Sequence, residues 1–228
     1  LDHDDLLSPD CLFEVASSIN KNKNVDFIYT DEDKIDENDN RYDAYFKPDF
    51  APDTLRCQNY ICHFSIFKKE LMEKLAGFRA DYDGAQDYDI FLRMSEITKP
   101  ENITHIPKIL YHWRVHNQST AKLNSNAKNY AFEAGKKAIE DHLKRIGLDG
   151  EVSQGCIEGI YRVDYKVKGN PKVSIVIPSK DGKDILKVCI DSVLNLTTYE
   201  NYEIVVVENN SETEEVFEYY KELIKNDK

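Results

Sequence analysis

Three carboxylates stand within the first five residues, Leu1-Asp2-His3-Asp4-Asp5. An apolar residue ahead of such a cluster suits the end of a buried strand opening into an acidic loop. Carboxylates this close repel one another unless a cation lies among them. Mg²⁺ and Mn²⁺ take oxygen ligands and keep part of their shell for substrate phosphates. The chemistry on offer is a divalent ion presenting a phosphate-bearing substrate. Taken alone, five such residues are more often a solvated acidic tail; the rest of the chain turns the reading.

Two more constellations could do chemistry. The first is Gly84-Ala85-Gln86-Asp87-Tyr88-Asp89, at the start of an expected helix over 86–97. Helical spacing puts Asp87 on the apolar face with Ile90, Phe91 and Met94, and puts Asp89 with Arg93 and Glu96 as a surface ion pair. A carboxylate aimed inward at a helix N-terminus either caps it or acts as a base, and the dipole favours its ionised form. The second is His112, Arg114 and His116, which alternate along a strand end and so share a side. Imidazole and guanidinium together suit a metal or a diphosphate, although a polar strand face is the commoner case. Tyr111 and Trp113 fall on the other side and read as core. Later, Pro178-Ser179-Lys180-Asp181 and Glu208-Asn209-Asn210-Ser211 follow two apolar runs, where a loop before a helix can hold phosphate or a base.

The elements that must position these groups follow from punctuation and period. Ser8-Pro9 opens a helix carrying Leu12, Val15, Ala16 and Ile19. Val25–Tyr29 is a short strand running into the acidic cluster Thr30-Asp31-Glu32-Asp33-Lys34, and 36–42 is a polar turn. Phe46–Asp53 is a proline-stiffened connector, with a short helix starting at Asp53. A strand over 63–67 and a helix over 69–76 follow, the latter stopped by Gly77. Ile103–Ile106 and Ile109–Val115 read as paired strands around Pro107. Ala127–Ile146 is a long amphipathic helix closed by Gly147, and 160–167 a strand. Beyond Asn170-Pro171, Val173–Ile177 and Glu203–Val207 are buried strands, each followed by a helix (184–194 and 212–224). That is a βαβ unit whose ligand edge lies at the strands' C-terminal ends.

The chain has 228 residues, 41% of them hydrophobic, and a formal charge of −12. It can fill a core, and its charge argues against a nucleic-acid backbone as partner. A nucleotide is not excluded, because a bound metal reverses the local sign. Five scattered cysteines without zinc-type spacing read as reduced thiols in the cytoplasm. No apolar run is long enough to span a bilayer and no signal-peptide pattern opens the sequence.

Together these stretches resemble the family 2 glycosyltransferases of bacterial polysaccharide synthesis, from Leu1 to about Gly147. Residues 1–5 look like that family's metal-binding D-x-D segment. Ser8-Pro9-Asp10, Tyr29–Asp33, Phe46–Asp49 and Asn59-Tyr60 match its body. Gln86-Asp87 with Leu92-Arg93 looks like the acceptor-site motif, often Glu-Asp, whose aspartate is the catalytic base; glutamine replaces the glutamate here. His105–Arg114 and His116 complete the pattern. Val173–Pro178 through Ser211 resembles the nucleotide-binding opening of a second such module.

The resemblance implies an α/β GT-A fold, a Rossmann-like mixed sheet flanked by helices, either incomplete or permuted. It implies a metal and acceptor part over 1–150, a linker with a strand over 151–172, and a nucleotide-binding part over 173–228. The halves either belong to tandem modules or pack into one permuted domain, in cis or by segment exchange in a dimer. Asp2, Asp4, Asp5 and His116 would hold Mn²⁺ or Mg²⁺, and Asp87 would be the base of an inverting transfer. Pro178, Ser179, Lys180, Asp181, Glu208 and Arg114 would meet the nucleotide-sugar donor. Gln86 and Trp113 would meet a glycan or lipid-linked glycan acceptor at the inner face of a membrane. Two rival expectations are a silent scaffold or glycan-binding piece of a larger synthase, and a nucleotidyltransferase.

Overall fold

The computed structural model describes residues 1–115, 125–157 and 159–225, and falls into two compact units, Leu1–Lys166 and Val167–Lys228. In the first, β1 (Leu6–Leu7), α1 (Cys11–Lys21), β2 (Phe27–Ile35), β3 (Arg41–Tyr45), α2 (Pro52–Cys57), β4 (Ser65–Phe67), α3 (Lys69–Lys74) and α4 (Gln86–Ile97) precede β5 (Ile103–Arg114), α5 (Ser125–Ile146), β6 (Gly150–Gln154) and β7 (Tyr161–Tyr165). The sheet runs β1-β5-β2-β3, with β4 on the first half of the β2 edge and β3 on the second. Only β2 and β5 are parallel; the other pairs in this sheet are antiparallel, so the sheet is mixed.

Both faces of β2 are covered, and nearly all of it is buried. On one side Phe27 and Tyr29 pack with α4, α5 and the β6–β7 hairpin through Tyr88, Phe91, Ala138, Val152 and Tyr161. On the other, Ile28 packs with Cys11 and Val15 of α1 and with Ile106 and Leu110 of β5. Phe27 and Phe91 stack with ring centroids 5.6 Å apart. Tyr88 donates its hydroxyl to the Leu55 carbonyl at 2.5 Å, which ties α4 to α2.

Several expectations change. The acidic run 30–34 does not follow the strand but forms its second half, because Asp31, Glu32 and Asp33 each find a partner from elsewhere in the fold. The two strands expected around Pro107 are one strand, β5. Its pairing with β2 skips from Thr30↔Ile106 to Asp31↔Ile109, and this irregularity accommodates a proline that has no N–H for the ladder. The linker stretch is mostly the β6–β7 hairpin, and the first compact unit continues through Lys166. Leu1 is exposed rather than the end of a buried strand. Asp89 is no surface residue: it is fully buried, held by Arg79 and by Arg93, which also donates to the Leu75 and Gly77 carbonyls.

The second unit is β8 (Val173–Ser179), α6 (Lys183–Leu196), β9 (Tyr202–Glu208) and α7 (Glu214–Leu223). Its two strands are parallel and in register from Val173↔Tyr202 to Ser179↔Glu208. Ile177, Ile204 and Val206 pack under Leu186, Ile190 and Tyr219 of the two helices. The other face, with Val176, Val205 and Val207, is exposed, so these strands are half-buried where full burial was expected.

In the last turns of α4 and α5, Glu96 accepts hydrogen bonds from His142 (2.7 Å) and Arg145 (2.7–3.0 Å). Burial pushes the Glu96 carboxyl up, but these bonds outweigh it and hold the group below its ordinary value. A carboxyl depressed in the folded state stabilises above its unfolded pKa, and that stability is lost as pH falls through the folded value. Glu96→Gln should therefore cost about 1.5–3 kcal/mol at pH 7. The difference from wild type should shrink as pH falls below about 4.5, the ordinary value; urea melts at several pH values check both.

Candidate active site

Topology gathers the candidate residues at the C-terminal end of the parallel β2–β5 pair. β1 is antiparallel to β5, with Leu6 opposite His112, so residues 1–5 lie beside the end of β5. Asp5 fixes this loop, accepting the Arg114 N–H at 2.7 Å and the Tyr111 hydroxyl. Arg114 donates to the Asp4 and Asp36 carbonyls (2.8 and 3.0 Å) and pairs with Asp39 (2.8 Å), so its guanidinium braces two loops. Asp2 is exposed and Asp4 half-buried. Both oxygens of Asp5 are committed to the protein. His116 lies outside the described residues.

The carboxylates of β2 face partners brought from far along the chain. Asp31 meets His105 Nε2 (2.8 Å) and accepts the Lys47 N–H (2.9 Å), and Tyr29 stacks on His105. Asp33 meets His112 Nδ1 (2.5 Å) and Arg41 Nε (2.6 Å). His112 is therefore a buried partner of Asp33, not a member of an outward set with Arg114. Glu32 accepts from Lys47 Nζ (3.0 Å) and from the His63 N–H (3.1 Å). The Lys47 ammonium has no solvent exposure and donates also to the carbonyls of Ile61 (2.7 Å) and His63. Burial lowers the Lys47 pKa, and the Glu32 carboxylate works against that; Glu32 in turn is held below its ordinary value by His63 and Lys47, despite burial.

That network fixes residues 61–63, of which the sequence assigns only His63, to a strand that in fact starts at Ser65. Cys62 has φ +33°, in the sparsely populated left-handed range. His63 stacks on Tyr111 (4.8 Å) and tilts against Trp113 (5.8 Å). Its Nε2 lies 4.0 Å from Asp2 Oδ2 and 3.8 Å from Cys62 Sγ. The Cys62 thiol lies 4.0 Å from Asp87 Oδ2. A line of close approaches thus joins Asp2, His63, Cys62 and Asp87. Trp113 is half-buried beside His63. The signal that could have found this segment is the single Cys62-His63 pair, which is too short to stand out.

Asp87 occupies the first turn of α4 and is half-buried. Its Oδ2 accepts from Asn59 Nδ2 at 2.8 Å, and its Oδ1 from the Tyr88 N–H at 2.8 Å. It opens onto a cavity of about 330 Å³ lined by Asn59, Gly84, Tyr88, Phe132 and Tyr161, among others. Gly84, at φ +87°, has no room for a side chain, since a Cβ would meet the Tyr130 ring at 2.7 Å. Gln86 is exposed and accepts the Gly84 N–H at 2.9 Å.

In the second unit, Ser179, Lys180, Asp181 and Glu208 do lie at the C-terminal ends of β8 and β9, after Pro178. The Asp181 carboxylate accepts from the Thr213 and Glu212 amides and the Thr213 hydroxyl (2.9–3.0 Å), which hold it below its ordinary value. Glu208 accepts from Ser211 and from the Tyr220 hydroxyl (2.9 Å). Asp181 thus ties its loop to the 211–213 loop, and Glu208 bonds within that second loop; Lys180 is exposed.

Residues 174–228 match the family model "Glycosyl transferase family 2". The chain is 43% identical over 224 residues to the uncharacterized protein y4gI of Sinorhizobium fredii, covering 98% of this chain and 24% of that protein. It is 40% identical over 215 residues to the O-antigen biosynthesis protein RfbC of Myxococcus xanthus, covering 94% of this chain and 16% of RfbC. Over 151 residues, 65% of this chain, it is 28% identical to the chondroitin synthase of Escherichia coli, of which that covers 21%. The chain spans a quarter or less of the length of these relatives.

Lys47 supplies the test of this architecture. Lys47→Met leaves Glu32 buried without its cation and should cost about 3–5 kcal/mol in urea unfolding. A loss below about 1 kcal/mol, the range of exposed pairs, would show that the pair does not organise the site.

Proposed function

The chain belongs to glycosyl transferase family 2, and on that premise we propose that its first unit carries out an inverting sugar transfer from a nucleoside-diphosphate donor to a glycan hydroxyl. The observation that carries this reading is the line from Asp2 through His63 and Cys62 to Asp87, which brings the acidic loop and the expected base into one site beside a cavity. Asp2 and Asp4 hold Mn²⁺ or Mg²⁺. The ion, when bound, stabilises the charge that develops on the leaving diphosphate. Asp5 and Arg114 keep the loop in place rather than binding the ion or the phosphates.

Asp87 takes the proton of the acceptor hydroxyl as that oxygen attacks the anomeric carbon. Asn59 fixes one carboxylate oxygen and the Tyr88 N–H the other, so the base is oriented before the acceptor arrives. Attack from the side opposite the leaving group inverts the anomeric centre. The neighbouring cavity receives the acceptor; Gln86 follows the lining residues Gly84 and Ala85 in the chain, while Trp113 lies beside His63. The O-antigen biosynthesis in the name of RfbC supports a glycan acceptor. No helix among the described residues is long and apolar enough to cross a membrane.

A second reading concerns the Val167–Lys228 unit alone. Asp181 and Glu208 are both hydrogen-bonded to the 211–213 loop, which favours a structural part for them over base recognition.

Asp87→Asn should lower the release of nucleoside diphosphate in the presence of acceptor about 10²–10⁴-fold, with the melting temperature kept. Full transfer by this variant would remove the base assignment. Release of pyrophosphate instead of a nucleoside diphosphate would replace sugar transfer by nucleotidyl transfer.

A further inference from the structure

Outside the Asp2–Asp4 loop, the site holds a donor set of a different kind. Cys62 Sγ, a ring nitrogen of His63 and a carboxylate oxygen of Glu32 all lie within 4.8 Å of one another. His63 Nδ1 is buried without a hydrogen-bond partner, and lies 3.5 Å from Glu32 Oε2. In tetrahedral zinc sites, metal–ligand bonds of about 2.0–2.3 Å place donor atoms about 3.3–3.8 Å apart. The imidazole and carboxylate already have that spacing, and the thiol needs a shift of about 1 Å at most.

We propose that Glu32, Cys62 and His63 form a binding site for a thiophilic divalent ion of the Zn²⁺ type. The donor chemistry separates this site from the acidic loop. Thiolate and imidazole select zinc-like ions, while carboxylates and water suit Mg²⁺ and Mn²⁺. The charges balance when Asp87 takes the fourth position, since the Cys62 thiolate and the Glu32 and Asp87 carboxylates then offset both the divalent ion and the Lys47 ammonium. Glu32 can serve because its Oε2, 3.5 Å from His63 Nδ1, is held in place by Lys47 and the His63 N–H and can bridge to the ion. The Lys47 ammonium is held by two carbonyls as well, so it does not depend on Glu32 alone. The fourth position falls to water or to Asp87, whose Oδ2 is 4.0 Å from the thiol. Binding displaces the protons of the ligands and is therefore stronger at higher pH. The ion site stands apart from the reading of Asp87 as a base; if that reading holds, zinc here slows transfer by engaging the base's neighbours.

The test is a titration of the 228-residue chain, reduced and stripped of metal, with Co²⁺ and then Zn²⁺. Cobalt held by a thiolate gives a sulfur-to-metal charge-transfer band in the near ultraviolet. The expected result is a band saturating at one equivalent and erased by Zn²⁺. Cys62→Ser should abolish it and weaken Zn²⁺ binding at least about 10-fold, while Asp4→Asn and Cys57→Ser leave both unchanged. No band in the wild-type protein would overturn the site, and that outcome does not depend on any variant folding. A band that survives Cys62→Ser, or that Cys57→Ser or Asp4→Asn removes, would overturn it equally. His63→Gln, which keeps the thiol, should retain at most a weakened band; undiminished Zn²⁺ affinity there would count against the proposal.

Discussion

The first unit depends on one buried cation. The Lys47 ammonium lies between the Glu32 carboxylate and the carbonyls of Ile61 and His63, with no solvent contact. Taking two such charges out of water costs several kcal/mol per ion, and an arrangement that satisfies them fully is needed to recover it. The geometry that does so is restrictive. It requires the 46–53 connector to lie over the β2 end and the 61–63 segment to turn its carbonyls inward. Once both conditions hold, His63 is delivered to Tyr111 and Asp2, and Cys62 to Asp87. The site is thus a consequence of satisfying a charge rather than of packing apolar surface.

The same principle explains where the sequence was readable and where it was not. The α4 boundaries follow from period and from the residues at its ends, and Gln86–Ile97 emerges as expected. The βαβ order of the second unit was equally plain. In contrast, Thr30–Lys34 reads as an acidic cluster beyond a strand end, because its partners His105, His112, Arg41 and Lys47 come from 8 to 79 residues away. Local pattern carries no information about such pairs. Asp89 misleads in the same manner: its i, i+4 partner Arg93 suggests a surface pair, and only Arg79 and the surrounding core make it a buried one. The β6–β7 hairpin is quiet in sequence because its core contribution rests mainly on Val152, Tyr161 and Val163.

The second unit shows what a βαβ unit leaves over. A two-stranded parallel sheet covered by helices on one face keeps the other in water, and here Val176 is 59% exposed with Val205 and Val207 beside it. Parallel strands ordinarily have both faces covered. The continuous apolar runs that made these strands easy to recognise are therefore more apolar than their surroundings require. The Asp181 and Glu208 bonds, by contrast, stay among the loops at the strand ends. They close the loop at the strand ends around Ser211 and Thr213 without help from the exposed face.

The three carboxylates of the opening loop divide their work by position. Asp5 is one residue before β1, so the antiparallel register with β5 carries it to the Arg114 N–H and the Tyr111 hydroxyl. Both of its oxygens are thereby used, and the loop acquires a fixed end. Asp2 and Asp4 lie farther out on the same turn and keep access to solvent, Asp2 near His63 on the side that leads to Asp87. Repulsion among three acids in four positions is thus eased by hydrogen bonds to one of them before any cation arrives. Asp2 and Asp4 sit on a loop anchored at the edge where the two parallel strands end.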